Sequence, residues 1–411
     1  MLLRVADSGA DSELQLATLV HLTDMHLFVR PNGQDRGPEE LSAGLRVMKY
    51  LGRRRPVGKL VQKFDKLELF DIIALEALEE SLAQLAAAER ERTDAPLIVV
   101  NTGDADTIGP QRIGQSLVFG AYKYLHDVVR PMVVADRKNW VDTYGNHDVW
   151  PGALPYRHPR QHRANFQRIC DVEGLESYRL PLKYSTPDSG IQLELHRLNT
   201  VDPDTRPATL ANGKVGTHPI TPERGGVNRG LDALRDNCSS PGTTVRVLLM
   251  HHPPFAFEAG WFERHLTTGK LAGARQLGDR MKRSLEIHLV IAGHRHALNP
   301  RVGINLDGHA AGAAQPPLPA RTVQLVSESP TASPQLTNPN EPRASKLRAA
   351  KSNSFCVYRL YVDTARSRLR VNRERLAFVG DFGDDSGRVL MGGSRRFRLA
   401  ESLDVASNVP L

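Results

Sequence analysis

The chain is 411 residues long, 40% apolar and 24% charged, which is enough for a buried core and ordinary for a globular protein. No run approaches the ~18 apolar residues of a membrane helix, and the first residues lack the basic and apolar regions of a secretory signal. Net charge is +8, but eight basic residues against one acid fall between Arg46 and Lys66, which excludes a nucleic-acid-binding surface spread over the whole chain.

In chain order, residues 16–23 read as a buried strand ending on Asp24-Met25-His26. A basic helical insertion follows at about 30–70, where Pro56 opens a pattern with Val57, Leu60, Val61, Phe64 and Leu67 on one side. Its apolar stripe is expected to pack on the domain, although 46–67 also suits contact with a membrane surface or another anionic surface. Residues 71–92 place Leu75, Leu78, Leu82 and Leu85 on one helical face. A second strand, 97–102, ends at Gly103-Asp104, and a third, 139–144, ends at Gly145-Asn146-His147-Asp148. Shorter helices are expected at 159–172 and 229–236, and a strand end at Asn199-Thr200-Val201-Asp202.

Residues 244–250 then run into His251-His252-Pro253-Pro254, and 287–292 into Gly293-His294-Arg295-His296. Segments 322–327, 354–362 and 367–373 alternate like antiparallel strands, with a turn after Val362. Residues 329–347 read as an irregular surface loop, 401–411 as a C-terminal tail, and 1–400 as one domain without internal repeats. Three scattered cysteines (Cys170, Cys238, Cys356) argue against disulfides and thiolate metal sites, and make the cytoplasm the expected location.

Five apolar strands thus end in clusters of imidazole, carboxylate or amide, and functional groups in α/β sheets gather just past the carboxyl ends of strands. Imidazoles and carboxylates together suit Mn, Fe or Zn, and the glycines let the backbone bend close to an ion. Two metals ~3.5–4 Å apart clamp the attacking and leaving oxygens of a phosphoryl transfer and generate hydroxide near neutral pH.

The ordered set Asp24-x-His26, Gly103-Asp104, Gly145-Asn146-His147-Asp148, His251-x-Pro253 and Gly293-His294-x-His296 resembles the calcineurin-like metallophosphoesterase superfamily across residues 18–296. The resemblance implies an α/β (α+β) fold: a four-layer αββα sandwich with two mixed β-sheets and a dinuclear metal site at strand C-terminal ends. It also implies that Asp24, His26, Asp104 and His296 hold one divalent or trivalent ion. Asp104 would bridge to a second ion held by Asn146, His251 and His294. His147 would act as a catalytic residue beside the metals, protonating the leaving group after in-line attack by a metal-bridging hydroxide.

Two departures narrow the reading. Tyr144 stands before Gly145 where protein Ser/Thr phosphatases of the superfamily carry Arg, and Asp148 replaces Glu. Thr107 stands where the family often has an acid or amide; Asp106, one residue earlier, is read as no ligand. The Asn199–Asp202 strand end and the His251-His252-Pro-Pro run are similar to the cyclic-nucleotide and glycerophosphodiester phosphodiesterase branch. His251 is preferred over His252 as the ligand, and His21, His126, His196, His265 and His288 carry no motif.

The expected function is a phosphodiesterase acting on a small phosphoester, with metal identity left open among Mn, Fe and Zn. Other possibilities are a phosphomonoesterase, a DNA or RNA nuclease, and a non-catalytic metal-binding scaffold. Aromatics at 6%, few of them among the basic residues, disfavour a nucleic-acid substrate, and the complete ligand set counts against the scaffold.

Overall fold

The computed structural model describes residues 13–27, 72–105, 111–113, 116–118, 120–149, 181–185, 190–201, 213–214, 234, 244–254, 271–283, 285–294, 322–327, 329–331, 353–379 and 396–411. The basic insertion at about 30–70, the helix at 159–172 and most of those at 229–236 and 329–347 lie outside the described residues.

The described chain begins with strand β1 (Glu13–Leu22), helix α1 (Ile72–Arg92) and β2 (Leu97–Asn101). A short hairpin of β3 (Gln111–Ile113) and β4 (Ser116–Val118) precedes three continuous helical segments: α2 (Gly120–Tyr124), a π-helical turn (Leu125–Val129) and α3 (Arg130–Val133). Next come β5 (Trp140–Asp142), the one-turn helix α4 (Asn146–Val149), β6 (Leu182–Ser185) and β7 (Gln192–Arg197). After them come β8 (Gly213–Lys214), β9 (Thr244–Met250), β10 (Leu271–Ala272), which pairs with β8, and α5 (Ala274–Arg283). The described chain closes with β11 (Leu289–Ala292), β12 (Val323–Val326), β13 (Ser354–Asp363), β14 (Arg368–Val379) and β15 (Arg396–Pro410).

Two mixed sheets result. The first has the order β15-β14-β13-β1-β2-β5, parallel through β1, β2 and β5 and antiparallel beyond. The second has the order β12-β11-β9-β7-β6, parallel except for β6. Strand alternation then assigns each face. Ile98, Val100 and Val141 of the first sheet meet Val245, Val247, Leu249, Leu289 and Ile291 of the second in one apolar layer. Val20, Leu22, Val99, Phe355 and Val357 face the other way and pack on Leu75, Leu78 and Leu82 of α1. On the far side Leu248, Met250, Val290 and Ala292 are covered by Ala274, Leu277 and Met281 of α5. The layers are therefore helix, sheet, sheet, helix, the sandwich expected from the motifs, with few helices.

Residues 401–411 are not a tail. Residues 401–410 form the second half of β15, whose Val405 and Val409 are buried against β14, and Leu411 N bonds to Ser367 O. The start of the 329–347 loop is irregular but not at the surface, since Ser329 and Thr331 are buried. Among the described residues, no helix is long and apolar enough to cross a membrane.

Polar groups in these layers are paired across long separations. Glu89 of α1 is 3% exposed and takes hydrogen bonds from Thr18 of β1, Arg92, and Arg359 of β13, tying the helix to two strands. His21 is wholly buried between the sheets, its Nε2 2.8 Å from the Thr102 hydroxyl. Burial pushes its imidazole down to about 3. The folded state thus favours the neutral ring, whereas the unfolded chain protonates near pH 6.5. Stability from this residue is complete above pH 6.5 and falls as pH drops toward 3, by on the order of 4 kcal/mol at the bottom of that window. His21→Gln keeps a donor at Thr102 without a titrating ring. Urea unfolding of the variant should lose less stability between pH 7 and pH 4.5 than wild type does, and equal losses would remove His21 from the acid response.

Candidate metal centre

The strand registers bring the ligand clusters to one edge. Leu22, Asn101 and Asp142 lie side by side in the first sheet, as do Met250, Ala292 and Val326 in the second. The loops after β1, β2, β5, β9 and β11 therefore leave the sandwich at the same level. Backbone hydrogen bonds join them within each sheet, from Asp24 N to Gly103 O, His26 N to Asp104 O, and Gly293 N to His251 O. Two further bonds join the sheets to each other. His251 donates its Nδ1–H to Thr102 O at 2.8 Å, and His294 N donates to Asp24 Oδ2 at 2.8 Å.

Two groups of side chains result, Asp24 with His26 and Asp104, and His251 with His252 and His294. Within each group the ligand atoms lie within 4.8 Å of one another. His251 Nε2 stands 3.2 Å from Asp104 Oδ2, and 3.1 Å from both Asn146 Oδ1 and His294 Nδ1. Asp104 thus lies between the two groups. His252 packs beside them, its Nδ1 hydrogen-bonded to Thr200 at 2.9 Å. Of the expected ligands, the structure brings together Asp24, His26, Asp104, Asn146, His251 and His294. His296, Asp106 and Thr107 lie outside the described residues; the backbone of His147 is in α4, and its side chain is not described.

The backbone at this edge is strained. Among the described residues, five that are not glycine have positive φ, and four of them are Asp24 (51°), His26 (48°), Asp104 (53°) and His294 (71°). A left-handed conformation costs about 1–3 kcal/mol and clusters where function demands it. The glycines permit close approach. A Cβ at Gly145 would sit 2.0 Å from Asp104 Oδ1, and one at Gly293 would sit 1.8 Å from Thr23 Oγ1.

The donor set fits a pair of divalent cations on chemical grounds: buried carboxylates face imidazoles and an amide oxygen. The electrostatics agree. Burial pulls the His251 imidazole down, but Asp104, then Asp24 and the Thr102 carbonyl outweigh it and push it up to about 9. The field between these carboxylates attracts positive charge strongly. With Nδ1–H fixed on Thr102 O, His251 presents Nε2 toward Asp104 and Asn146, the arrangement by which supporting carbonyls orient metal-ligating imidazoles.

Several supporting residues carry no motif. Thr23 donates to Asp24 Oδ2 at 2.7 Å, Ser329 to the carbonyl of Asp24 at 2.6 Å, and Thr331 to that of Met25 at 2.5 Å. Asp148 reaches back to Gly145 N at 2.7 Å in the manner of a capping box. The same oxygen accepts from Asp104 N at 2.8 Å, so one carboxylate clasps two metal-site loops. An acid three residues past Gly145 is the sequence signal for this clasp.

A family model described as calcineurin-like phosphoesterase matches residues 17–298. Among solved structures, the chain is similar to the sulfate thiohydrolase SoxB of Thermus thermophilus in complex with glycerol, at 16% identity and a TM-score of 0.34, covering 78% of this chain and 53% of that one. It is also similar to purple acid phosphatase PPD1 from yellow lupin (Lupinus luteus) seeds, at 13% identity and a TM-score of 0.38, covering 91% and 52%. The chain spans about half the length of each. No curated protein matches it.

Proposed function

The chain belongs to the calcineurin-like phosphoesterase family, and from that premise we propose that it is a metal-dependent phosphodiesterase acting on a small phosphoester. The observation that carries the reading is the convergence of Asp24, His26 and Asp104 with His251 and His294 at one sandwich edge. Asp24, His26, Asp104 and His296 would hold one ion of the Mn, Fe or Zn class, and Asp104, Asn146, His251 and His294 the other. When bound, such a pair activates water and neutralises phosphoryl oxygens.

The chain's own residues supply the rest. Asp24 is fixed in place by Thr23 and by the amide of His294, so its carboxylate needs little reorganisation. Thr102 sets the tautomer of His251. His147, one residue beyond Asn146, is assigned the proton that the leaving oxygen takes up after in-line attack. Diester preference rests on the Asn199-Thr200-Val201-Asp202 strand end and on the His251-His252-Pro-Pro run, whose second imidazole is braced by Thr200, while Tyr144 and Asp148 count against a protein Ser/Thr phosphatase. A cytoplasmic location belongs to the same proposal, with contact of 46–67 with an anionic surface as the alternative to its packing on the domain.

The test is hydrolysis of paired aryl phosphate mono- and diesters by the Mn²⁺-loaded protein. The diester should be turned over at least about tenfold faster in kcat/KM, a difference of ~1.4 kcal/mol in transition-state binding. A faster monoester would keep the chemistry and reject the diester assignment. Bound metal with no turnover of either would reject an enzyme in favour of a scaffold.

A further inference from the structure

Asp104 sits at the end of a turn that two hydrogen bonds hold in a left-handed course, with φ of 100° at Gly103 and 53° at Asp104. Asn101 Oδ1 accepts from Gly103 N at 3.2 Å, and Asp148 Oδ2 accepts from Asp104 N at 2.8 Å. These are adjacent amides, and both acceptors lead back to one helix. Tyr122 of α2 donates its hydroxyl to Asp148 Oδ2 at 2.8 Å. Four residues on, in the π-helical turn, His126 Nε2 stands 2.7 Å from Asp142 Oδ2. Asp142 Oδ1 in turn accepts from Asn101 Nδ2 at 2.7 Å and from Trp140 Nε1 at 3.1 Å.

We propose that Tyr122 and His126 are positioning residues for Asp104, acting from one helical face through Asp148 and through the Asp142–Asn101 pair. The inference rests on the metal-dependent reading above. An amide side chain has one donor end and one acceptor end, so Asp142 decides which way Asn101 points. With Nδ2 drawn to the carboxylate, Oδ1 must face Gly103 N. His126 donates to Asp142 and holds that carboxylate where Asn101 can reach it. Tyr122 does the corresponding work for Asp148, whose single oxygen accepts from Asp104 N, Gly145 N and the phenol. Asp142 and Asp148 are wholly buried, and the Asp142–His126 pair is nearly so, with the His126 side chain 14% exposed. Low polarity strengthens each bond. The two rings are themselves packed in place, Tyr122 edge-on to Tyr144 at 5.5 Å and His126 against Trp140 at 6.1 Å.

The two routes converge on a turn that also orders the first ligand loop, since Gly103 O and Asp104 O accept from Asp24 N and His26 N. A displacement at Gly103 or Asp104 is therefore passed to three ligands. The π-helical turn places His126 opposite Asp142, and such turns recur at functional sites.

The experiment uses the full chain with four substitutions: Tyr122→Phe, His126→Leu, His126→Gln, and Met132→Ala as a control on the exposed side of the same helical run. Mn²⁺ affinity is read by calorimetric titration, folding by the melting temperature in EDTA, and kcat and KM on the preferred aryl ester. Tyr122→Phe and His126→Leu should each weaken Mn²⁺ binding about tenfold or more, the usual cost of losing a supporting partner. The metal-free melting temperature should stay near wild type in Tyr122→Phe and fall in His126→Leu, which strips a donor from buried Asp142. The value of kcat should fall more than KM changes, and His126→Gln should recover most of both losses by restoring that donor. Unchanged Mn²⁺ affinity in the variants overturns the proposal. So does a loss that Met132→Ala shares, one in Tyr122→Phe that follows the melting temperature, or one at His126 that Gln does not reverse. If the wild-type chain itself takes up no Mn²⁺, the metal-dependent reading falls and this inference with it.

Discussion

Asp104→Ala is expected to cut phosphoester hydrolysis by about 10³-fold or more while leaving the protein folded. Each bound cation contributes several kcal/mol of transition-state stabilisation, and 1.36 kcal/mol is a factor of ten in rate. Asp104 lies with Asp24 and His26 and also reaches His251, at 3.2 Å, so its loss removes a ligand from both groups. Metal content by elemental analysis should fall from two equivalents of Mn²⁺ to one or fewer. Asp104→Asn, which keeps the shape and removes the charge, should fall between alanine and wild type. The metal-free melting temperature should move by only a few degrees, because the left-handed turn at Asp104 is held by its backbone amide, which the substitution keeps. Half of wild-type turnover with both metals retained would show that Asp104 does not bridge.

Much of this fold is legible in the sequence because its parallel strands are buried on both faces. Residues 97–101 and 244–250 are apolar or otherwise buried throughout, so their runs read as strands without any need for alternation. The ligand clusters are legible for the same reason: each begins within a few residues of the end of such a run. Strand β15 is not, and the reason is physical. It lies at a sheet edge with register shifts against β14, and its few buried residues, Phe397, Val405 and Val409, are separated by the exposed Leu399 and by polar positions such as Glu401 and Asp404. The supporting bonds are hidden in another way. Ser329 reaches Asp24 across 305 positions, and nothing local to either residue announces the pair. Asp142 left a trace, a carboxylate inside a buried strand, and such a group demands partners. His126, given no role from its sequence context, is one of them.

Gly293→Ala is the second substitution with a large expected effect, and it acts where the two sheets meet. An added Cβ would stand 1.8 Å from Thr23 Oγ1, 2.8 Å from Asp24 Oδ2 and 2.9 Å from Thr23 Cβ, all closer than real contacts allow. The neighbouring bonds leave little room to yield, since Gly293 N is tied to His251 O and His294 N to Asp24 Oδ2. The strain must therefore push the loop after β11 away from the loop after β1. That movement separates His294 from Asp24 and His251, so Mn²⁺ affinity should fall by about 100-fold, the upper end of what loss of supporting contacts costs. Overpacking should also cost stability, roughly 1–3 kcal/mol. Thr23→Ala alone loses only the hydroxyl bond to Asp24 and should have a smaller effect. Because it also removes the nearest colliding atom, the double variant should bind Mn²⁺ more tightly than Gly293→Ala alone. Such non-additivity marks two residues in direct contact. A double variant in which both losses add in full would mean that Gly293 acts through its own backbone conformation and that the sheets are not held together at Thr23.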